Sequence, residues 1–119
     1  SDKIISFAKA TLVVDNSSVI CEGEGNGPVH ALDNAIRNNI DKLAKYSEYL
    51  QDLKLVDYKV RILNTGTEAT TRVSIESTDS KGKNWFTIGV STNIIDASFK
   101  ALIDSLDYKL FKDNAPASK

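Results

Sequence analysis

Three glycines alternate with Glu24 and Asn26 over residues 23–27, and Pro28 follows directly. A glycine-rich turn ahead of a helix is where backbone amides can cradle an anion. The first four helical N–H groups have no intrahelical partner and sit at the positive end of the dipole. A dinucleotide fingerprint needs glycine at its first, third and sixth positions, and the sixth position counted from Gly23 is Pro28. A P-loop needs Gly-Lys-Ser/Thr at its end, and the stretch has none. A GxxG clamp for RNA lies between helices on a basic surface, whereas these glycines follow a strand pattern in a chain of formal net charge -1. Two readings remain: amides that hold a small anion such as a carboxylate, or a tight turn whose backbone takes positive φ.

His30 is the sole histidine and Cys21 the sole cysteine of the 119 residues. One histidine rules out a multi-histidine metal site and leaves a Ser/His/Asp triad without an evident partner. On a first helical turn it reads as a surface or interface residue lining a pocket. One cysteine rules out an internal disulfide and a cysteine-cluster metal site, and on a strand it reads as a small buried hydrophobe. Asp33 and Asp96 fall early in helical patterns, where a carboxylate complements the dipole. Tyr46, Tyr49 and Tyr58 gather around the exit of the first helix and the strand after it, and read as packing residues. No paired carboxylates, triad or ligand cluster stands out, so neither catalysis nor a cofactor is expected of this chain.

The elements that hold these residues follow from periodicity. Apolar residues at 41% and charged residues at 26% are the composition of an ordinary globular domain. No apolar run approaches the ~20 residues that cross a bilayer, and no charged start precedes an apolar stretch, so a cytoplasmic setting without membrane contact is expected. Scattered Lys and Arg at that net charge give no footprint for nucleic acid. "ISFAKATLVVD" predicts a strand with Ala8, Ala10, Leu12 and Val14 on one parity, residues 15–18 a hairpin turn, and "VICEG" the return strand. A helix is predicted over 28–45, opened by Pro28 and carrying Val29, Leu32, Ile36, Ile40 and Leu43 at helical spacing. "SEYLQDLKL" reads as a polar passage. Half-buried strands follow in "LVDYKVRIL", "ATTRVSIEST" and "NWFTIGV", joined by "NTGTE" and "DSKGK". A last helix takes Ser91, Thr92 or Asn93 as N-cap and Ile95, Phe99, Leu102 and Leu106 as its apolar stripe. Residues 1–3 read as a ragged start and "NAPASK" as a frayed end.

Gly23 aligns with Gly89, Ala31 with Ala97, Ala35 with Ala101 and Ile36 with Leu102 at one constant offset, so the chain is an internal duplication. The expected fold is α+β: two βββα-like units, about 4–46 and 53–110, each an antiparallel sheet with one helix. The first unit lacks a clear counterpart of the opening strand "LVDYKVRIL". A single domain is expected over 1–112, with 113–119 a flexible tail.

In order and spacing, "GNGPVHALDNAI", "LVDYKVRIL", "GTEATTRVSIES" and "WFTIGVSTNIIDASFKALIDSLDYKL" resemble the C-terminal regulatory domain of the isopropylmalate and citramalate synthase family. The resemblance covers nearly all of residues 12–110 and leans to the citramalate branch; Gly-Asn-Gly-Pro is shared with the leucine-regulated branch. It implies a non-catalytic domain that forms a homodimer and binds the pathway's end product at or near the interface. That effector is isoleucine for the citramalate branch and leucine for its sister. The parent enzyme would condense acetyl-CoA with pyruvate using a divalent metal in an N-terminal (β/α)8 barrel in cis. Carried over by position, the effector site would draw on Gly27, Val29, His30, Leu55, Tyr58, Ile62, Thr71, Thr92 and Ile94. An aliphatic wall with amides at helix starts suits an amino acid. A purely structural dimerisation domain, and at the margin a small RNA-binding domain, are the other readings.

Overall fold

The computed structural model describes residues 5–118; the ragged start at 1–3 and the final Lys119 lie outside them. The fold is α+β, as expected, with a two-stranded antiparallel sheet β1-β2 and a three-stranded antiparallel sheet β3-β4-β5. The elements run β1 (Ser6–Val14), β2 (Ser17–Gly25), α1 (Pro28–Arg37), the four-residue α2 (Ser47–Leu50), β3 (Lys54–Thr65), β4 (Glu68–Thr78), β5 (Asn84–Ser91) and α3 (Ile94–Lys112). The chain forms two compact units, one holding the residues up to Gln51 with those from Leu110 on, the other Asp52–Lys109.

In the first unit the hairpin closes through Asp15 and Asn16, both at positive φ (49° and 66°). That pair suits the primed two-residue turn that matches strand twist, and Asp and Asn tolerate it best after glycine. The register pairs Ala8 with Gly23 and Ala10 with Cys21, which puts small residues on one face. α1 buries Val29, Ala31, Leu32, Ala35 and Ile36. A Cβ on Gly23 would collide with the Ala35 backbone, and one on Gly25 would stand 2.8 Å from Ala31 N. Gly23 and Gly25 are therefore where the helix backbone lies against the strand, and none of the three glycines takes the positive φ of the tight-turn reading.

α1 ends at Arg37, short of the expected 45. Asn38 caps it, and the Asn39 amide donates to the Ala35 carbonyl at 2.7 Å, so side-chain bonds replace helical ones. Two 3-10 turns, Ile40–Lys42 and Ala44–Tyr46, carry the chain on. Their three-residue period leaves Ile40, Leu43 and Tyr46 buried, which imitates a continuing helical stripe in the sequence. The end expected to fray is hydrogen-bonded within this unit: Tyr46 hydroxyl donates to Pro116 O at 2.7 Å, Lys45 Nζ to Ala117 O at 3.1 Å, and Asp15 N to Ser118 Oγ at 3.0 Å.

In the second unit β4 runs between β3 and β5, with Val73 paired to Val60 on one side and to Gly89 on the other. α3 lies on the face that carries Gly89, where a Cβ would collide with Ala97 O and stand 2.8 Å from Ala101 N. This contact sets the helix face. Ala97, Ser98, Ala101, Leu102, Ser105, Leu106 and Lys109 are buried, whereas Ile95, expected in the stripe, is 46% exposed. Beneath the helix Ser77 Oγ and Ser105 Oγ share a 2.6 Å hydrogen bond, and Trp85 Nε1 donates to Ser105 Oγ at 3.2 Å. Polar groups removed from water need such partners. Lys109, 2% exposed, holds its ammonium 3.1 Å from Asp52 and 3.8 Å from Asp79.

Candidate functional site

The nine residues expected to bind an effector divide between the units. Gly27, Val29 and His30 belong to the first. Gly27 is the N-cap of α1 with an extended backbone (φ -178°) and no side-chain cap, and a Cβ there would meet nothing within 4 Å. Val29 is 1% exposed and so belongs to the packed interior, while His30 is exposed.

The other six lie in the second unit. Leu55 pairs with Ser77, Tyr58 with Ile75 and Ile62 with Thr71, and those β4 partners share one face. Thr71 also pairs with Ser91 of β5, so Ile62, Thr71 and Ser91 form one row across the three strands. Thr92 and Ile94 follow that row at the start of α3. The structure thus brings Ile62, Thr71, Thr92 and Ile94 to one end of the sheet. Tyr58 lies four residues back along β3, about 13 Å at strand rise, within range of its long side chain. Leu55 lies further back on the same strand, beyond a register irregularity between Leu55 and Asp57. On the same face as Tyr58, Val60 and Ile62 are 38% and 68% exposed, so β3 presents an aliphatic surface rather than the half-buried strand expected.

Electrostatics sharpen the picture at α3. Asn93 is its N-cap among the three candidates: Asn93 Oδ1 accepts from Ile95 N at 2.7 Å and from Asp96 N at 3.2 Å. Those amides are already satisfied, so this helix start does not offer them to a carboxylate as the sequence suggested. Asp96 is held below the usual carboxylate range by its hydrogen bond with Ser91 and by Lys100, 3.1 Å away. Asp33, expected at a helix start, sits in the second turn of α1 and pairs with Arg37 at 3.1 Å. Cys21 is fully buried, and burial pushes its thiol up, with Lys42 opposing. Among the described residues no group of three His, Cys, Asp or Glu converges to hold a metal. No helix among them is long and apolar enough to cross a membrane.

Two open grooves repeat at equivalent places. One, about 520 Å³, is lined by Phe7, Ala8, Lys9, Glu22, Gly23, Glu24 and Asn38 beside β2. The other, about 360 Å³, is lined by Ile88, Gly89, Val90, Phe99, Lys100, Ile103 and Asp104 beside β5. Neither draws on the nine expected residues.

Over 110 residues, 89% of this chain and 20% of the relative, the chain is 48% identical to an (R)-citramalate synthase of Geobacter sulfurreducens. Over 91 residues, 75% of this chain and 16% of the relative, it is 54% identical to the (R)-citramalate synthase of Aquifex aeolicus. A 2-isopropylmalate synthase of Clostridium acetobutylicum is 35% identical over 106 residues, 87% of this chain and 17% of the relative. The chain therefore spans about a fifth of the length of these relatives. Residues 1–110 match the LeuA allosteric (dimerisation) domain, and the chain belongs to that family.

Proposed function

We propose that this chain is the regulatory part of an (R)-citramalate synthase, forms a homodimer, and binds isoleucine as a feedback inhibitor. The observation that carries this reading is the order of identities, 54% and 48% to citramalate synthases against 35% to a 2-isopropylmalate synthase. The condensation of acetyl-CoA with pyruvate, and the divalent metal it uses, would belong to the remaining four-fifths of such an enzyme. The chain itself contributes sensing and pairing in the cytoplasm.

The aliphatic face of β3 supports an effector of this class. In this reading Leu55, Tyr58 and Ile62 receive the side chain, with Thr71, Thr92 and Ile94 at the end of the row. Gly27, Val29 and His30 stay assigned to the site by family position alone. Covering an isoleucine side chain is worth roughly 1.5 to 3 kcal/mol, and one methylene separates it from valine by about 1 kcal/mol, so pocket shape must contribute to selectivity. Binding inhibits only to the extent that isoleucine prefers one arrangement of the dimer over another.

Calorimetric titration with isoleucine, leucine and valine, on a sample whose mass is known from light scattering, tests the reading. Isoleucine is expected to bind most tightly. Tighter binding of leucine would move the chain to the isopropylmalate branch, with which it shares Gly-Asn-Gly-Pro. No binding by any of the three at millimolar concentration would leave a purely structural dimerisation domain.

A further inference from the structure

The Gly-Asn-Gly-Pro stretch keeps one feature that packing does not explain. Gly23 and Gly25 lie against the backbone of α1, but a Cβ on Gly27 would meet nothing within 4 Å. The Gly27 backbone is extended (φ -178°), a conformation open to any residue. Neither space nor dihedral angle therefore calls for glycine at this position. What glycine changes there is access to its own peptide nitrogen: without a Cβ, nothing shields that nitrogen from the side chain of the residue before it.

The residue before it is an asparagine, whose carboxamide carbon is an electrophile one short reach away. Of the nine asparagines in the chain, only Asn26 precedes a glycine. It is exposed and sits in the bend between β2 and α1, outside both elements. Other asparagine side chains are tied down. Asn34 Nδ2 donates to Glu24 O at 2.8 Å, Asn39 Nδ2 donates to Ala35 O at 2.7 Å, and Asn93 Oδ1 accepts from Ile95 N at 2.7 Å. Asn16 precedes Ser17, whose backbone is fixed in the β1-β2 ladder opposite Val14. The Asn26 carboxamide has no such tie among the described residues.

We infer that Asn26 and Gly27 form a self-modifying site, at which the chain deamidates without an enzyme. The Gly27 nitrogen, as it gives up its proton, attacks Asn26 Cγ. The N–Cγ bond forms, the Cγ–Nδ2 bond breaks, and ammonia leaves with that proton, so a succinimide ring closes. Water then adds to one of the two ring carbonyls. Cleavage between nitrogen and Cγ gives an aspartyl residue. Cleavage between nitrogen and the main-chain carbonyl carbon gives an isoaspartyl residue, with the backbone rerouted through the side chain. Water is the only co-reactant, and nothing is oxidised or reduced.

Either product adds one negative charge directly ahead of the Gly27 N-cap of α1. That helix has no acidic residue in its first turn and no side-chain cap, so the new carboxylate complements a positive end that its own residues leave without one. A carboxylate ligand drawn to the same helix start would then meet a like charge. This inference goes beyond the proposed function and does not depend on it.

The test ages the full chain at pH 8.5 and follows the tryptic peptide 10–37, which holds Asn16, Asn26 and Asn34. Fragment masses are expected to place a gain of about 1 Da on residue 26 before either of the other two. An isoaspartyl methyltransferase is expected to label the aged chain, since the rerouted backbone is its substrate. Gly27→Ala is expected to slow the gain severalfold while the urea midpoint of the fresh protein stays at the wild-type value, which separates a chemical effect from a change of fold. An Asn26 that stays intact, that reacts no faster than Asn16 and Asn34, or that reacts at a rate Gly27→Ala leaves unchanged overturns the inference.

Discussion

A methyl group added at Gly89 would run into the Ala97 carbonyl, whereas one added at Gly27 would meet nothing. Gly89→Ala should therefore cost about 1 to 3 kcal/mol by overpacking, and Gly27→Ala should stay within about 0.5 kcal/mol of wild type, as read by urea denaturation. In the sequence Gly89 stands alone in a strand and Gly27 belongs to the conspicuous cluster, so residue type alone ranks them in the wrong order. What separates them is the distance to a helix backbone far along the chain, which no local pattern records. Asp52 gives a pH prediction at this scale. Hydrogen bonds from Ser80, with Lys109 beside it, hold its carboxyl well below its ordinary value, so it binds its proton less readily folded than unfolded. That contribution is complete above the unfolded-state value of about 3.9 and is lost as pH falls toward the folded value. The urea midpoint should drop between pH 6 and pH 3, and Asp52→Asn should flatten that drop.

At the level of elements, strand pairing and hairpin turns were legible because alternation and turn residues are local properties. "LVDYKVRIL", "ATTRVSIEST" and "NWFTIGV" fall on β3, β4 and β5. Helix extents were less legible. The row of Ile40, Leu43 and Tyr46 kept a helical rhythm through two 3-10 turns, and the buried face of α3 was chosen by closeness to Gly89 rather than by apolar content. Lys109 is the clearest case: a lysine late in an amphipathic helix reads as solvent-facing, yet it is buried between two aspartates. Removing it takes the ammonium away from Asp79, whose side chain is 0% exposed and keeps the Lys81 amide on Oδ1. Lys109→Ala should cost about 3 to 5 kcal/mol in chemical denaturation, since breaking a buried ion pair from one side leaves the other charge poorly solvated. The candidate site was legible only in part. Register brings Ile62, Thr71, Thr92 and Ile94 to one end of the sheet, and the Asn93 cap takes up two amides of α3.

For the whole chain, the duplication was readable from spaced small residues, with Gly23, Ala31 and Ala35 repeated as Gly89, Ala97 and Ala101. The close seat of α3 against Gly89 has a mechanical outcome. A helix resting on the one position without a side chain is keyed there: sliding along its axis would drive a neighbouring methyl into backbone, whereas tilting about the point of contact meets no such stop. Any signal α3 transmits should therefore travel as a rocking lever and not as a piston.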